Sequence, residues 1–172
     1  MRQGRRDGFR EFAAGRSGHL YRSACLLTSG DTHLAEDLVQ ETLGRMYLVW
    51  GRISRIDNPP AYAQTVLVRA FLTHQRRRSA GERPVGEFPE PGAAAGGGDA
   101  DPALRLTLLE ALGRLAPKDR AVLVLRYWED RSVEETADAM NSSSAAVRTR
   151  TTRALARLRD QLGGSLAAFA EL

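Results

Sequence analysis

Apolar residues recur along this chain at the three-to-four-residue spacing of helices. Phe9, Phe12, Leu20, Cys25 and Leu26 open the pattern. Thr28-Ser29-Gly30-Asp31 reads as a turn with Asp31 as a helix N-cap. Leu34, Leu38, Leu43, Met46, Tyr47 and Trp50 then fall on one helical side. Asp57-Asn58-Pro59-Pro60 punctuates the chain, and proline suits a first helical turn. The next helix is predicted from Ala61 to about Arg78, with Tyr62, Val66, Leu67 and Ala70 on its apolar side. Further on, Leu104, Leu108, Leu112 and Leu115 form a stripe. Pro117 opens a helix carrying Val122, Leu123, Leu125 and Tyr127. Ser132-Val133-Glu134-Glu135 is a capping box for a short helix ending near Met140. Asn141-Ser142-Ser143-Ser144 reads as a turn, and Ala145 to about Leu162 as the final strong helix. No useful segment alternates with strand period. The expected fold is all-α, in two small helical domains joined by a flexible linker.

The linker is read from composition. Residues 79–103 hold Pro84, Pro89, Pro91 and Pro102 and the run Ala93 to Gly98, which neither continue nor nucleate a helix. The expected domains are therefore 1–78 and 104–172, with a tail frayed beyond Gly163-Gly164. Charge divides at the same places. Residues 1–78 carry 13 Arg against 7 acids, 79–103 one Arg against 5 acids, and 104–172 11 basic against 9 acidic residues. An acidic tether between basic modules is expected to avoid DNA and to lie over a basic surface until DNA competes it away.

Composition adds exclusions. Cys25, among Ala24, Leu26 and Leu27, is the one cysteine, so it reads as a small core residue in a chain without a disulfide framework. No apolar run suits a transmembrane helix, and Met1 to Arg10 is too charged for a secretory signal. His19, His33 and His74 lack metal-ligand spacing, and no phosphate-binding glycine motif is present, so neither cofactor, metal nor enzyme activity is expected. Trp50 and Trp128 are expected in the core.

Ser132 to Leu162 fits a helix-turn-helix. Val147, Ala154, Leu155 and Leu158 give the last helix an apolar face, opposite Arg148, Thr149, Thr152 and Arg153. Five arginines and no acid lie between Arg148 and Arg159. The slim start of this helix suits a major groove, with Ser144, Arg148 and Thr149 near base edges. Arg150, Arg153 and Arg157 are expected as phosphate contacts or packing braces.

These residues carry a resemblance. Leu115 to Asp130, then Ser132 to Ala137 and Ala146 to Arg150, resemble region 4 of bacterial extracytoplasmic-function sigma factors. Where that family commonly has Gly-Thr-Val-Lys-Ser-Arg, this chain has Ala145 to Arg150. Ala35 to Thr42 is similar to the part of region 2 that docks on polymerase. The resemblance implies a cytoplasmic promoter-specificity subunit. Its partners would be the RNA polymerase core, through the β′ clamp helices and the β flap, promoter DNA, and an anti-sigma factor. It assigns Glu36, Asp37, Gln40 and Glu41 to polymerase docking. It assigns Ser144, Arg148, Thr149, Arg150 and Arg153 to the −35 element. Capture of the melted −10 element falls to the loop Ser54 to Asn58, with Asn58, Arg69, Thr73, Arg76 and Arg77. Capture of an unstacked base opens DNA without ATP, because pocket contacts offset unstacking. The rival is a helix-turn-helix regulator that binds DNA without polymerase.

Overall fold

A computed structural model describes residues 2–81 and 101–163. The expected acidic tether and frayed tail lie outside the described residues, apart from the linker's ends. Ser79 to Gly81 continue a helix, and Pro102 and Ala103 begin another. The described residues form α1 (Arg2–Leu27), α2 (Thr32–Ile53), α3 (Pro59–Gly81), α4 (Pro102–Gly113) and α5 (Pro117–Leu123). A π-helical turn, Val124–Trp128, comes next, and then α6 (Val133–Met140) and α7 (Ser144–Leu162). There is no strand among them, as the spacing predicts, and no helix long and apolar enough to cross a membrane.

Side-chain caps fix several boundaries. Asp31 accepts from the Leu34 N–H at 3.1 Å, as expected for the α2 N-cap. Asn58 does the same for α3, accepting from the Ala61 N–H at 3.1 Å ahead of Pro59 and Pro60. The capping box is complete: Ser132 Oγ accepts from the Glu135 N–H at 3.0 Å, and the Ser132 N–H donates to Glu135 Oε1 at 3.1 Å. These bonds hold the Glu135 carboxyl below its ordinary value.

The N-terminal helices share a core with the C-terminal ones. Leu20, Leu27, Leu38, Met46, Leu67 and Phe71 pack in one cluster with Val124, Leu125 and Ala139. Trp50 is buried there as expected, against Phe9 and Phe12. Near the α1–α2 turn, Ser29 (φ 58°) donates from Oγ to the Leu109 carbonyl at 2.8 Å. Gly113 makes room for it, since a Cβ there would lie 2.3 Å from that hydroxyl.

Tyr127 and Trp128 depart from their expected places. Both are about half exposed, at 57% and 46%. The π-helical turn is the reason: the Glu129 N–H reaches back five residues to the Val124 carbonyl at 2.9 Å. The extra residue rotates the succeeding side chains out of the α5 apolar stripe. Trp128 sits at the rim, donating to Ser23 Oγ at 3.1 Å and stacking on His19. Tyr47 and Tyr62 are also more exposed than expected of apolar-stripe residues.

The same rotation sends Glu129 into the junction between the halves. Its carboxylate, 3% exposed, accepts from His19 Nε2 at 2.9 Å, Ser23 Oγ and Gln64 Nε2. Gln64 Oε1 accepts from Arg131 Nε at 3.2 Å. Arg131 also donates to Thr65 Oγ1 at 2.9 Å and to the Ala61 carbonyl. Arg120 donates to the carbonyls of Leu27, at 2.6 Å, and Leu115, at 3.1 Å. Burial pulls the Arg120 pKa down to about 10, so it remains charged at neutral pH.

Three outcomes are expected. Glu129→Ala strands several buried donors and should cost about 3–5 kcal/mol in urea unfolding; a loss within error of zero would refute the role given to this carboxylate. Ser132→Ala should cost about 1 kcal/mol by the same measurement. The Glu135 contribution should be full above the unfolded carboxylate value and lost as pH falls through the depressed folded one. A carboxyl titration by NMR checks this, and a midpoint at or above the unperturbed value would contradict it.

Candidate nucleic-acid interface

The turn between α6 and α7 is built by two polar residues. Asn141 takes the left-handed conformation (φ 50°) that ends α6, tolerable for asparagine. Ser143 caps α7, its Oγ accepting from the Ala146 N–H at 3.1 Å. The helix therefore begins at Ser144, one residue before the expected start. Val147, Thr151 and Ala154 face inward. Arg148, Thr149, Thr152 and Arg153 form the exposed side, with half-buried Ser144 at its start. Arg148 lies 3.5 Å from Glu134, an exposed pair that water and salt screen. Arg150 and Arg157 turn instead toward buried Asp119, at 2.8 and 3.5 Å, and brace α7 against α5.

On the N-terminal helices, the loop Ser54 to Asn58 is exposed throughout, although one oxygen of Asn58 is engaged in capping α3. Arg76 and Arg77 are exposed, and Arg76 donates to Thr73 Oγ1 at 3.2 Å. Arg69 is engaged differently. Its guanidinium donates to the Ala139 carbonyl at 3.0 Å and the Asp138 carbonyl at 2.9 Å. It thus satisfies the free carbonyls at the end of α6, where a cation is favoured. Arg69, Thr73 and Arg76 line one cleft of about 840 Å³ with Lys118 and Arg150. Residues expected at two different promoter elements are thereby brought to a single basic groove.

The acidic face of α2 is a separate surface. Glu36, Asp37, Gln40 and Glu41 are exposed, while Ala35, Leu38, Val39 and Thr42 are buried beneath them. Glu41 pairs with Arg45 one turn on, at 2.6 Å. No group of three or more potential metal-ligating side chains comes together among the described residues. Sequence reasoning missed Arg120, Glu129 and Arg131, which join the halves. Each stands among other charged residues in the sequence, and only its burial and its partners in the other half reveal the role.

Residues 16–81 match the family model for Sigma-70 region 2, and residues 105–158 that for Sigma-70, region 4. The chain is 40% identical over 155 residues to the RNA polymerase sigma-E factor of Streptomyces coelicolor, covering 90% of this chain and 85% of that one. It is 35% identical over 134 residues to the RNA polymerase sigma factor CarQ of Myxococcus xanthus, covering 76% and 75%. The sigma factor RpoE from Bartonella quintana, solved with the anti-sigma factor NepR, shares the fold at a TM-score of 0.69 and 24% identity, covering 91% of this chain and 98% of that one. Two sigma regions in order on one chain do not favour a helix-turn-helix regulator that works without polymerase. The chain belongs to the extracytoplasmic-function (ECF) family of RNA polymerase sigma factors.

Proposed function

We propose that the two halves, residues 1–78 and 104–172, divide promoter recognition between them while the chain rides on RNA polymerase core. The observation that carries this reading is the division of α7 into a buried face and an exposed one bearing Arg148, Thr149, Thr152 and Arg153. That exposed face is the part of the helix-turn-helix free to enter the major groove of the −35 element. Arg148 and Thr149, with Ser144, read base edges, and Arg153 holds phosphate. Arg150 acts chiefly by holding α7 at its angle through Asp119, and reaches the backbone only at the edge of the groove.

The loop ending at Asn58 takes a base from the melted −10 element, and Arg76 and Arg77 hold its backbone. Thr73 supports Arg76 through their hydrogen bond. Arg69 joins this set once the halves part, because in the closed arrangement its donors are spent on α6. Glu36, Asp37, Gln40 and Glu41 form the docking face for the β′ clamp helices, an acidic ledge above a packed helix side that suits a basic partner. The C-terminal half meets the β flap. The sigma factor in the solved relative was captured with an anti-sigma factor, and a comparable partner is proposed here to hold the halves together. The family is regulatory and non-enzymatic, and this chain's work is binding alone. It acts in the cytoplasm, where polymerase and chromosome meet.

Run-off transcription with purified core tests the whole reading. Arg148→Ala should abolish promoter-specific transcripts while core affinity stays intact; normal transcription by that variant would sink the assignment of the reading helix. Gln40→Ala with Glu41→Ala should weaken core association, measured by fluorescence anisotropy. Unchanged affinity would move the docking face elsewhere.

A further inference from the structure

The family match begins at residue 16, yet α1 begins at Arg2. The intervening turns are not idle. Phe9 packs edge-on to Tyr47 and Trp50, with ring centroids 5.1 and 5.6 Å apart, and Phe12 lies 5.0 Å from Trp50. These contacts lay the start of α1 antiparallel along the end of α2. Arg5 crosses Gly51 there, 3.0 Å from where a Cβ would stand.

This seating gathers positive charge. Arg2, Arg5 and Arg6 line one groove with Tyr47 and Leu48. On α2, Arg52 stands one turn beyond Leu48, and Arg55 lies in the loop after it; both are exposed. None of these five arginines takes part in an ion pair among the described residues. Of the nearby acids of α1, Glu11 falls on the opposite side of the helix by its spacing from Arg2, Arg5 and Arg6, while Asp7 lines a neighbouring groove with Arg2, Arg6 and Arg10. Asp57 is the acid of the loop itself. In the middle of the basic band stand Leu48, 76% exposed, and Tyr47, 42% exposed.

Guanidinium groups around an exposed aromatic and an aliphatic side chain match the chemistry of single-stranded nucleic acid. Arginines track the phosphates, and flat or apolar side chains receive unstacked bases. The position agrees, since Arg55 belongs to the loop proposed to capture a base. A duplex offers phosphates as well, but keeps its bases stacked and gives Tyr47 and Leu48 nothing to cover.

We propose that the first turns of α1, with Tyr47, Leu48, Arg52 and Arg55 of α2 and its adjoining loop, form a binding surface for the single DNA strand that flanks the captured base. This rests on the promoter reading for its location, but its chemistry can be tested apart from it. Arg2, Arg5 and Arg6 hold successive phosphates, while Leu48 and Tyr47 shelter a base between them. Melted DNA is thereby held along a track rather than at a single pocket.

The test uses the full chain, a labelled oligothymidylate strand and a salt titration. Removing one arginine–phosphate pair should flatten the slope of log affinity against log salt by about 0.7, so Arg2→Ala/Arg5→Ala/Arg6→Ala should flatten it by about 2. The three sites are exposed and alanine favours helix, so the fold should survive; circular dichroism confirms it. Arg→Lys at all three should restore most of the slope, since lysine keeps the charge. Leu48→Glu should weaken strand binding without unfolding the protein. An unchanged slope in the triple alanine variant would overturn the proposal. So would a drop in affinity for polymerase core with strand binding intact, because the patch would then face protein. Initiation with purified core tests the promoter reading separately, and its failure would leave the oligothymidylate result standing.

Discussion

A carboxylate and two guanidiniums buried between the halves set the terms for everything else. Glu129, Arg120 and Arg131 are almost wholly removed from water. Their desolvation is tolerable only if every charge is met by partners of fixed geometry. Those partners come largely from the other half: His19, Ser23 and Gln64 for Glu129; Ala61, Gln64 and Thr65 for Arg131; Leu27 for Arg120. The halves therefore meet in one register. A slip of either would strand charge in an apolar setting, at a cost comparable to much of a small domain's stability.

The closed arrangement and the proposed function draw on some of the same side chains. Arg69 caps α6, and the cleft beside it gathers Arg76, Lys118 and Arg150. In contrast, the exposed side of α7, the acidic ledge of α2 and the arginine band at the start of α1 are all accessible while the halves are closed. In the proposed function, engagement starts at these outer surfaces, which do not require the halves to part.

Much of the fold was legible in the sequence because its signals are local. Asp31, the Ser132–Glu135 box and the prolines at 59 and 117 set helix starts through bonds within a few residues. The apolar face of α7 and its exposed opposite came from spacing alone. What escaped depends on distant parts of the chain. Nothing near Val124 signals a π-helical turn, so Tyr127 and Trp128 were expected inside. The duty of Arg69 was hidden because its acceptors lie about seventy residues away. For the candidate site residues, the sequence supplied residue types and helix faces, and the structure adds which of them are exposed. The sequence could not tell which arginines were already engaged: Arg148 and Arg153 are exposed on α7, while Arg150 is tied to Asp119.

Several bonds across the junction run from a guanidinium to a main-chain carbonyl: Arg120 to Leu27, Arg131 to Ala61, Arg69 to Ala139. Such bonds respond little to dissolved ions, whereas a grip on phosphates is ion exchange and weakens steeply as salt rises. A rise in ionic strength would thus weaken the proposed grip on phosphates more than it weakens the closed arrangement of the halves.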